Sequence, residues 1–265
     1  SFPKDTTDRN RTSPFAFTGN KFEFRMLGSA QSISDPNIVL NTIVAEELKQ
    51  FADELENAKD FTKSLNELIR KTIKEHKKII FNGNGYSDEW IAEAEKRGLL
   101  NYKTTVDALP HFVDKKNVEL FTSHNVFTET EMRSRLEILY ETYSKTINIE
   151  ALTMIDMMKK QIMPAVSDYT AFLAGNIAAK KAVSESVNTD AESELLTKLS
   201  DELSELYKKE KVLENSVDAY ETAVYYRDKV FGAMQDLRET VDKIEPDVAS
   251  DFWPVPTYSE LLFRV

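Results

Sequence analysis

The sequence predicts a mainly α protein with a short N-terminal β-hairpin, and three observations carry that expectation. Only seven glycines and eight prolines punctuate 265 residues, too few for the many turns of a sandwich or barrel. From Asn37 onward apolar residues recur at three- and four-residue steps, the period of helices that bury one stripe. Before that they lie two apart, at Phe15 and Phe17 and again at Phe22, Phe24 and Met26, which is strand periodicity.

The hairpin is expected over residues 8–28, with Thr18-Gly19-Asn20 as its turn. Strand alternation puts Lys21, Glu23 and Arg25 on one face and Phe22, Phe24 and Met26 on the other. A charged face of this kind is either the solvated side of a hairpin or the wall of a polar cleft. Helices follow from Asn37 to Ala58, carrying Ile38, Val39, Ile43, Leu48 and Phe51, and from about Phe61 to Lys77, carrying Leu65, Leu68, Ile69 and Ile73. Asn82-Gly83-Asn84-Gly85 reads as a turn, since one pair of glycines is a weak phosphate-loop signal. Ser87, with Glu89 and Trp90 behind it, reads as the cap of a helix that ends at Gly98. Residues 99–127 form a connector with short helical pieces around Pro110.

Thr128 and Glu131 have the spacing of a capping box. Met132, Leu136, Leu139, Tyr143 and Ile147 extend the helix they open, and Pro164 kinks it without ending it. A turn at Asn188-Thr189-Asp190 starts a further helix with Leu196, Leu199, Leu203, Leu206, Leu213, Val217, Tyr220, Val224, Phe231, Met234 and Val241 along one stripe, interrupted by Glu210, Arg227 and Arg238. Two helices of about 50 residues would each be about 75 Å long. One stripe on rods of that length needs a partner, so an antiparallel helical hairpin is expected, or a coiled coil between subunits. Phe252-Trp253-Pro254 should dock on it before a short last helix at Ser259–Phe263.

Composition removes several function classes. With 45 acidic against 34 basic side chains the net charge is −11, which disfavours nucleic acids and anionic membranes as partners. The absence of cysteine excludes disulfides, thiol nucleophiles and cysteine-ligated metals. His76, His111 and His124 lack the spacing of helical metal ligands. No Gly-x-Ser-x-Gly elbow, Walker pattern or dinucleotide fingerprint occurs. No apolar run reaches 18 residues and no signal-peptide pattern opens the chain, so a soluble, cytoplasmic protein is expected.

Three short elements then occur in order: Asn10-Arg11-Thr12, Lys21-Phe22-Glu23-Phe24-Arg25 and Asp35-Pro36-Asn37. This order resembles the late catalytic segment of the glutamine synthetases. Ser13-Pro14-Phe15-Ala16-Phe17-Thr18-Gly19-Asn20, Ile80-Phe81-Asn82-Gly83-Asn84-Gly85-Tyr86-Ser87-Asp88-Glu89-Trp90 and Ile147-Asn148-Ile149-Glu150-Ala151-Leu152 look like the large type III branch in particular. The resemblance implies the C-terminal part of an α+β catalytic domain over residues 1–127, followed at 128–265 by a long helical hairpin or bundle special to that branch.

By the same resemblance Arg11 contacts nucleotide phosphates and stabilises the transferring phosphoryl group. Lys21 lies beside ADP, Glu23 binds a divalent metal, Mg²⁺ or Mn²⁺, and Arg25 holds the substrate glutamate. The implied partners are ATP, glutamate, ammonia, the remainder of a longer synthetase chain, and further copies in a double-ring dodecamer. One departure stands out: where the family carries a second arginine, this sequence has Ala16. The family's other metal ligands and its β-grasp domain lie upstream of these motifs, so the chain reads as the C-terminal piece of a longer enzyme, inactive alone. The rival reading is a non-catalytic helical scaffold or oligomerisation module.

Overall fold

The computed structural model describes residues 28, 31–81, 84–218 and 222–263. The expected hairpin therefore lies outside the described residues, and those described are helical with no strand among them. The chain divides into two compact units, Ser1–Ser134 and Arg135–Val265.

In the first unit, α1 spans Ser34–Leu55 and α2 Phe61–His76. Helix α1 starts three residues before Asn37 because Pro36 falls in the first turn, where its missing N–H has no intrahelical acceptor to lose. The Asp60 side chain caps α2 by accepting from the Lys63 N–H at 3.0 Å. Ser87 precedes α3 (Asp88–Lys96) as expected, but its hydroxyl turns back to the Asn84 carbonyl at 3.0 Å and does not cap the helix. At the other end Gly98 has φ +70°. The Gly98 N–H donates to the Glu95 carbonyl and the Leu99 N–H to that of Ala94, both at 2.9 Å, which closes α3 with a Schellman motif.

Arg97 locks this corner, donating to the Lys78 and Ile80 carbonyls at 3.1 and 3.0 Å while its guanidinium lies over Trp90. Trp90 stacks on Phe81 with 4.1 Å between centroids. The connector resolves into α4 (Thr105–Ala108), a 3₁₀ turn over Leu109–Val113, and α5 (Lys115–Ser123). Phe121, buried, packs against Phe112 and Phe127. The α1 stripe finds less cover: Val39, Ile43 and Leu48 stay exposed.

The Thr128–Glu131 capping box forms in both directions and opens α6 (Glu129–Met157). A π-turn at Met158–Ile162 joins it to α7 (Met163–Val183). The helix continues through Pro164, as expected, by way of this π-turn. Pro164 has no N–H for the Lys160 carbonyl and its ring would collide with that carbonyl in an α-turn. The turn widens, and the Met163 N–H reaches back to Met158 instead.

Within the second unit the expected two-helix hairpin becomes a bundle of three. Helix α8 (Asp190–Asp218) begins after an Asx-turn in which Asn188 Oδ1 accepts from the Asp190 N–H at 2.8 Å. The rod expected to continue to residue 245 is broken. Thr222 caps a new start, α9 (Ala223–Tyr225), which passes through a π-turn at Tyr226–Val230 into α10 (Phe231–Ile244). Lys180 pairs with Glu192 and Lys159 with Glu214, so α8 runs antiparallel to α7. Lys198 pairs with Asp247 at 2.5 Å and Lys209 with Thr240 at 2.8 Å, so α10 runs antiparallel to α8.

Reversal resets the helical phase. Leu199, Leu206 and Leu213 are buried as the stripe predicts; beyond the break Tyr226, Val230, Leu237 and Ile244 are the large buried side chains, and Met234 and Val241 of the stripe pack partly buried against the core. Val224 and Phe231, expected in the stripe, are exposed. The tail docks as anticipated: Trp253 is buried, and Phe252 meets Tyr169 and Phe172 at centroid distances of 5.1 and 5.4 Å. The last helix, α11, spans Tyr258–Leu262 and opens with a Thr257–Glu260 capping box.

Candidate functional site

Arg11, Lys21, Glu23 and Arg25, the residues singled out by motif, lie outside the described residues. Two of the histidines, His111 and His124, pair with carboxylates. His111 Nδ1 is 2.9 Å from Asp114 Oδ2 and its ring stacks on Tyr102. His124 Nε2 is 2.7 Å from Glu46 Oε2, a clasp between the end of α5 and α1. Hydrogen bonds from Gln50 and from His124 hold the Glu46 carboxyl below its ordinary range. No group of three or more His, Cys, Asp or Glu side chains among the described residues could hold a metal ion. No helix among them is long and apolar enough to cross a membrane.

The densest chemistry surrounds the π-turn before Pro164. Lys159, carried on that turn, hydrogen-bonds Glu214 and has its Nζ 3.3 Å from Glu210 Oε1. Lys211 reaches Glu214 at 2.5 Å and Glu210 Oε2 at 3.7 Å. Glu210 is fully buried and neither of its oxygens receives a well-directed hydrogen bond. A buried charge costs several kcal/mol unless it is well paired, so this is the least comfortable group in the bundle. Glu214, hydrogen-bonded first to Lys159 and then to Lys211, is pulled down to about 2. Its partners Lys159 and Lys211 are raised by that same contact. Glu210 is one of the polar residues that interrupt the stripe on α8. It lies inside the bundle, matched by a cation on the facing rod. No sequence motif marks Lys159; the available signal is that Glu210 and Glu214 stand four apart on one face of α8 and call for a cation opposite.

Beside this cluster a shallow groove of about 610 Å³ runs between α7 and α8. Met163, Pro164, Leu203 and Tyr207 supply its apolar surface, with Ser167 and Ser204 between them. Lys159 and Lys208 flank it.

Farther along α8, burial raises the Glu202 carboxyl above its ordinary 4.5, with Lys198 opposing and Asp247 and Glu205 adding. The folded chain thus binds this proton more tightly than the unfolded chain. Its contribution to stability is full below pH 4.5 and is lost as the pH rises through the elevated folded value. Glu202→Gln should therefore raise the melting temperature at pH 7, and the gain should shrink toward zero as the pH falls to 4. A difference that does not change over this range would show that Glu202 titrates normally.

The family model described as Glutamine synthetase C-terminal domain matches residues 64–181. A glutamine synthetase of Butyrivibrio fibrisolvens is 38% identical over 286 aligned positions, which take in the whole of this chain and 39% of the relative. The Type-3 glutamine synthetase of Dictyostelium discoideum is also 38% identical, over 98% of this chain and 37% of its own length. A glutamine synthetase of Bacteroides fragilis is 32% identical over 98% of the chain and 38% of the relative. The chain thus spans under two fifths of the length of the curated relatives it matches. With a C-terminal-domain match at its centre and this identity from end to end, the chain belongs to the glutamine synthetase family and corresponds to a C-terminal portion of its type III members.

Proposed function

We propose that this chain forms one wall of the active site of a longer enzyme that converts glutamate, ammonia and ATP to glutamine, ADP and phosphate. The observation that carries this reading is the order Asn10-Arg11-Thr12, Lys21 to Arg25 and Asp35-Pro36-Asn37 in a chain of this family. Residues 1–127 contribute to the catalytic domain; 128–265 are an extension. The whole enzyme is a cytoplasmic double-ring dodecamer.

Phosphoryl transfer is mostly positioning and charge neutralisation. Arg25 grips the substrate carboxylate with a planar fork, so that the γ-carboxylate oxygen of glutamate approaches the γ-phosphorus of ATP. Arg11 and Lys21 offset charge on the phosphates as ADP departs and γ-glutamyl phosphate forms. Ammonia then displaces phosphate at the acyl carbon. If residues 21–25 form a strand, Lys21, Glu23 and Arg25 would share one face, as such a wall requires. Mg²⁺ or Mn²⁺, when bound, neutralises phosphate charge. Glu23 is one carboxylate, whereas Mg²⁺ takes six ligands in near-octahedral array. This chain therefore supplies one ligand of a set completed by phosphate oxygens and groups outside it.

A glutamine-forming assay on the purified chain and on the whole enzyme, run side by side, tests the reading. The whole enzyme should turn over and the isolated chain should not, because most of the ligand set is missing from it. Turnover by the isolated chain, free of host enzyme, would refute the division of the site. Absence of glutamine from the whole enzyme would refute the activity.

A further inference from the structure

We infer that the groove between α7 and α8 is a binding site for a small organic anion with a flat apolar body. The inference is independent of the ligase reading, since it rests only on residues of the three-helix unit.

Charge is the first argument. Residues 135–265 carry 24 acidic and 15 basic side chains, a net of −9, yet the groove is lined by two lysines and no acid. Lys159 shares its charge with Glu210 and Glu214, so Lys208 is the cation that would select an anion at this groove against the anionic surface around it. Lys208 is exposed, and the acid whose carboxyl it acts on is Glu205, one turn back on the same helix.

The second argument is preorganisation. Lys159 has three N–H donors; one goes to Glu214 and a second faces Glu210, which leaves the third for a ligand. Its side chain is held in place from behind by the fully buried Glu210. That carboxylate is a costly feature for a helix seam, and anchoring a cation at the groove gives it a purpose. Lys211 and Glu214 complete the support, so the ammonium does not have to be ordered when a ligand arrives.

The third argument is shape. The π-turn forced by Pro164 displaces the rod at this level, and Ser167 and Ser204 leave the space between the helices unfilled. At about 610 Å³ the groove falls within the range of about 300–1,000 Å³ usual for small-molecule sites. Met163, Leu203 and the half-exposed Tyr207 ring offer the apolar contact; Lys211 lies over one face of that ring, 5.7 Å from its centroid, and a planar group would stack on the other.

Titration of the full chain with 1-naphthyl phosphate, followed by isothermal calorimetry and by NMR shift mapping, tests this. Binding should be sub-millimolar, and inorganic phosphate or 1-naphthol alone should each bind roughly tenfold more weakly or worse, as loss of one contributing contact implies. Lys208→Ala should weaken the probe by about tenfold, the loss of one charge-assisted hydrogen bond. Ser204→Phe should block it by occupying the space. Melting curves for both variants should match the parent, since neither site is buried. No binding, or binding that neither variant alters, overturns the site. Equal binding of phosphate removes the apolar requirement, and equal binding of 1-naphthol removes the anionic one; either outcome overturns the ligand class.

Discussion

In the whole enzyme, Arg25→Lys is expected to lose nearly as much kcat/KM for glutamate as Arg25→Ala, and Glu23→Ala to abolish turnover. Arginine presents a rigid planar pair of donors that matches a carboxylate at two points, whereas lysine offers a single compact charge. A desolvated fork of this kind is worth about 1.5–3 kcal/mol per charged hydrogen bond, so losing its geometry costs orders of magnitude in rate. Glu23 differs in kind. Its loss should act through the metal, so raising Mn²⁺ concentration should partly restore Glu23→Ala or Glu23→Gln but leave Arg25→Lys unchanged. Near-parental kcat/KM for glutamate in Arg25→Lys would show that another residue grips the substrate. Metal-independent loss in Glu23→Gln would mean the carboxylate serves some other end.

The second large effect belongs to the bundle. Leu206 and Leu213 are fully buried on α8, the middle helix, which packs α7 on one side and α10 on the other. Each truncation to alanine should cost about 2–5 kcal/mol, the lost transfer energy plus the cavity left behind. Leu203 and Val217, only partly buried, should cost less, because water already reaches them. A domain of this size has about 5–15 kcal/mol in total, so Leu206→Ala with Leu213→Ala should leave the bundle near its unfolding midpoint. Urea denaturation followed by circular dichroism reads this directly. Equal losses at Leu203 and Leu213 would contradict the three-helix arrangement and favour the single two-helix seam.

How much was legible beforehand follows from the range of the forces involved. Capping is local. The Thr128–Glu131 box, the Gly98 terminator and the Asn188 turn are each set by hydrogen bonds within a few residues, and each forms where the sequence predicts it. The same holds for α2, whose start at Phe61 follows from Asp60 and the apolar period after it. Ser87 is the exception: its hydroxyl donates to the loop carbonyl of Asn84, and its oxygen does not accept from the helix N–H groups that a cap would serve.

The residues proposed for catalysis, Arg11, Lys21, Glu23 and Arg25, rest on a resemblance of short motifs in order, and they lie outside the described residues. What the sequence by itself determined is therefore the helical class, most of the caps and turns, and the family. Only the tertiary structure decided that the second half is a bundle of three. A continuing three–four stripe is equally consistent with one long rod or with two that reverse, because periodicity records which residues are apolar and not which direction the chain travels. It also decided that Glu210 faces Lys159 across the bundle, a pairing of residues about fifty apart. Such a match depends on the register of α8 against the rod before it, which the packing of Leu199, Leu206 and Leu213 sets and no local pattern encodes.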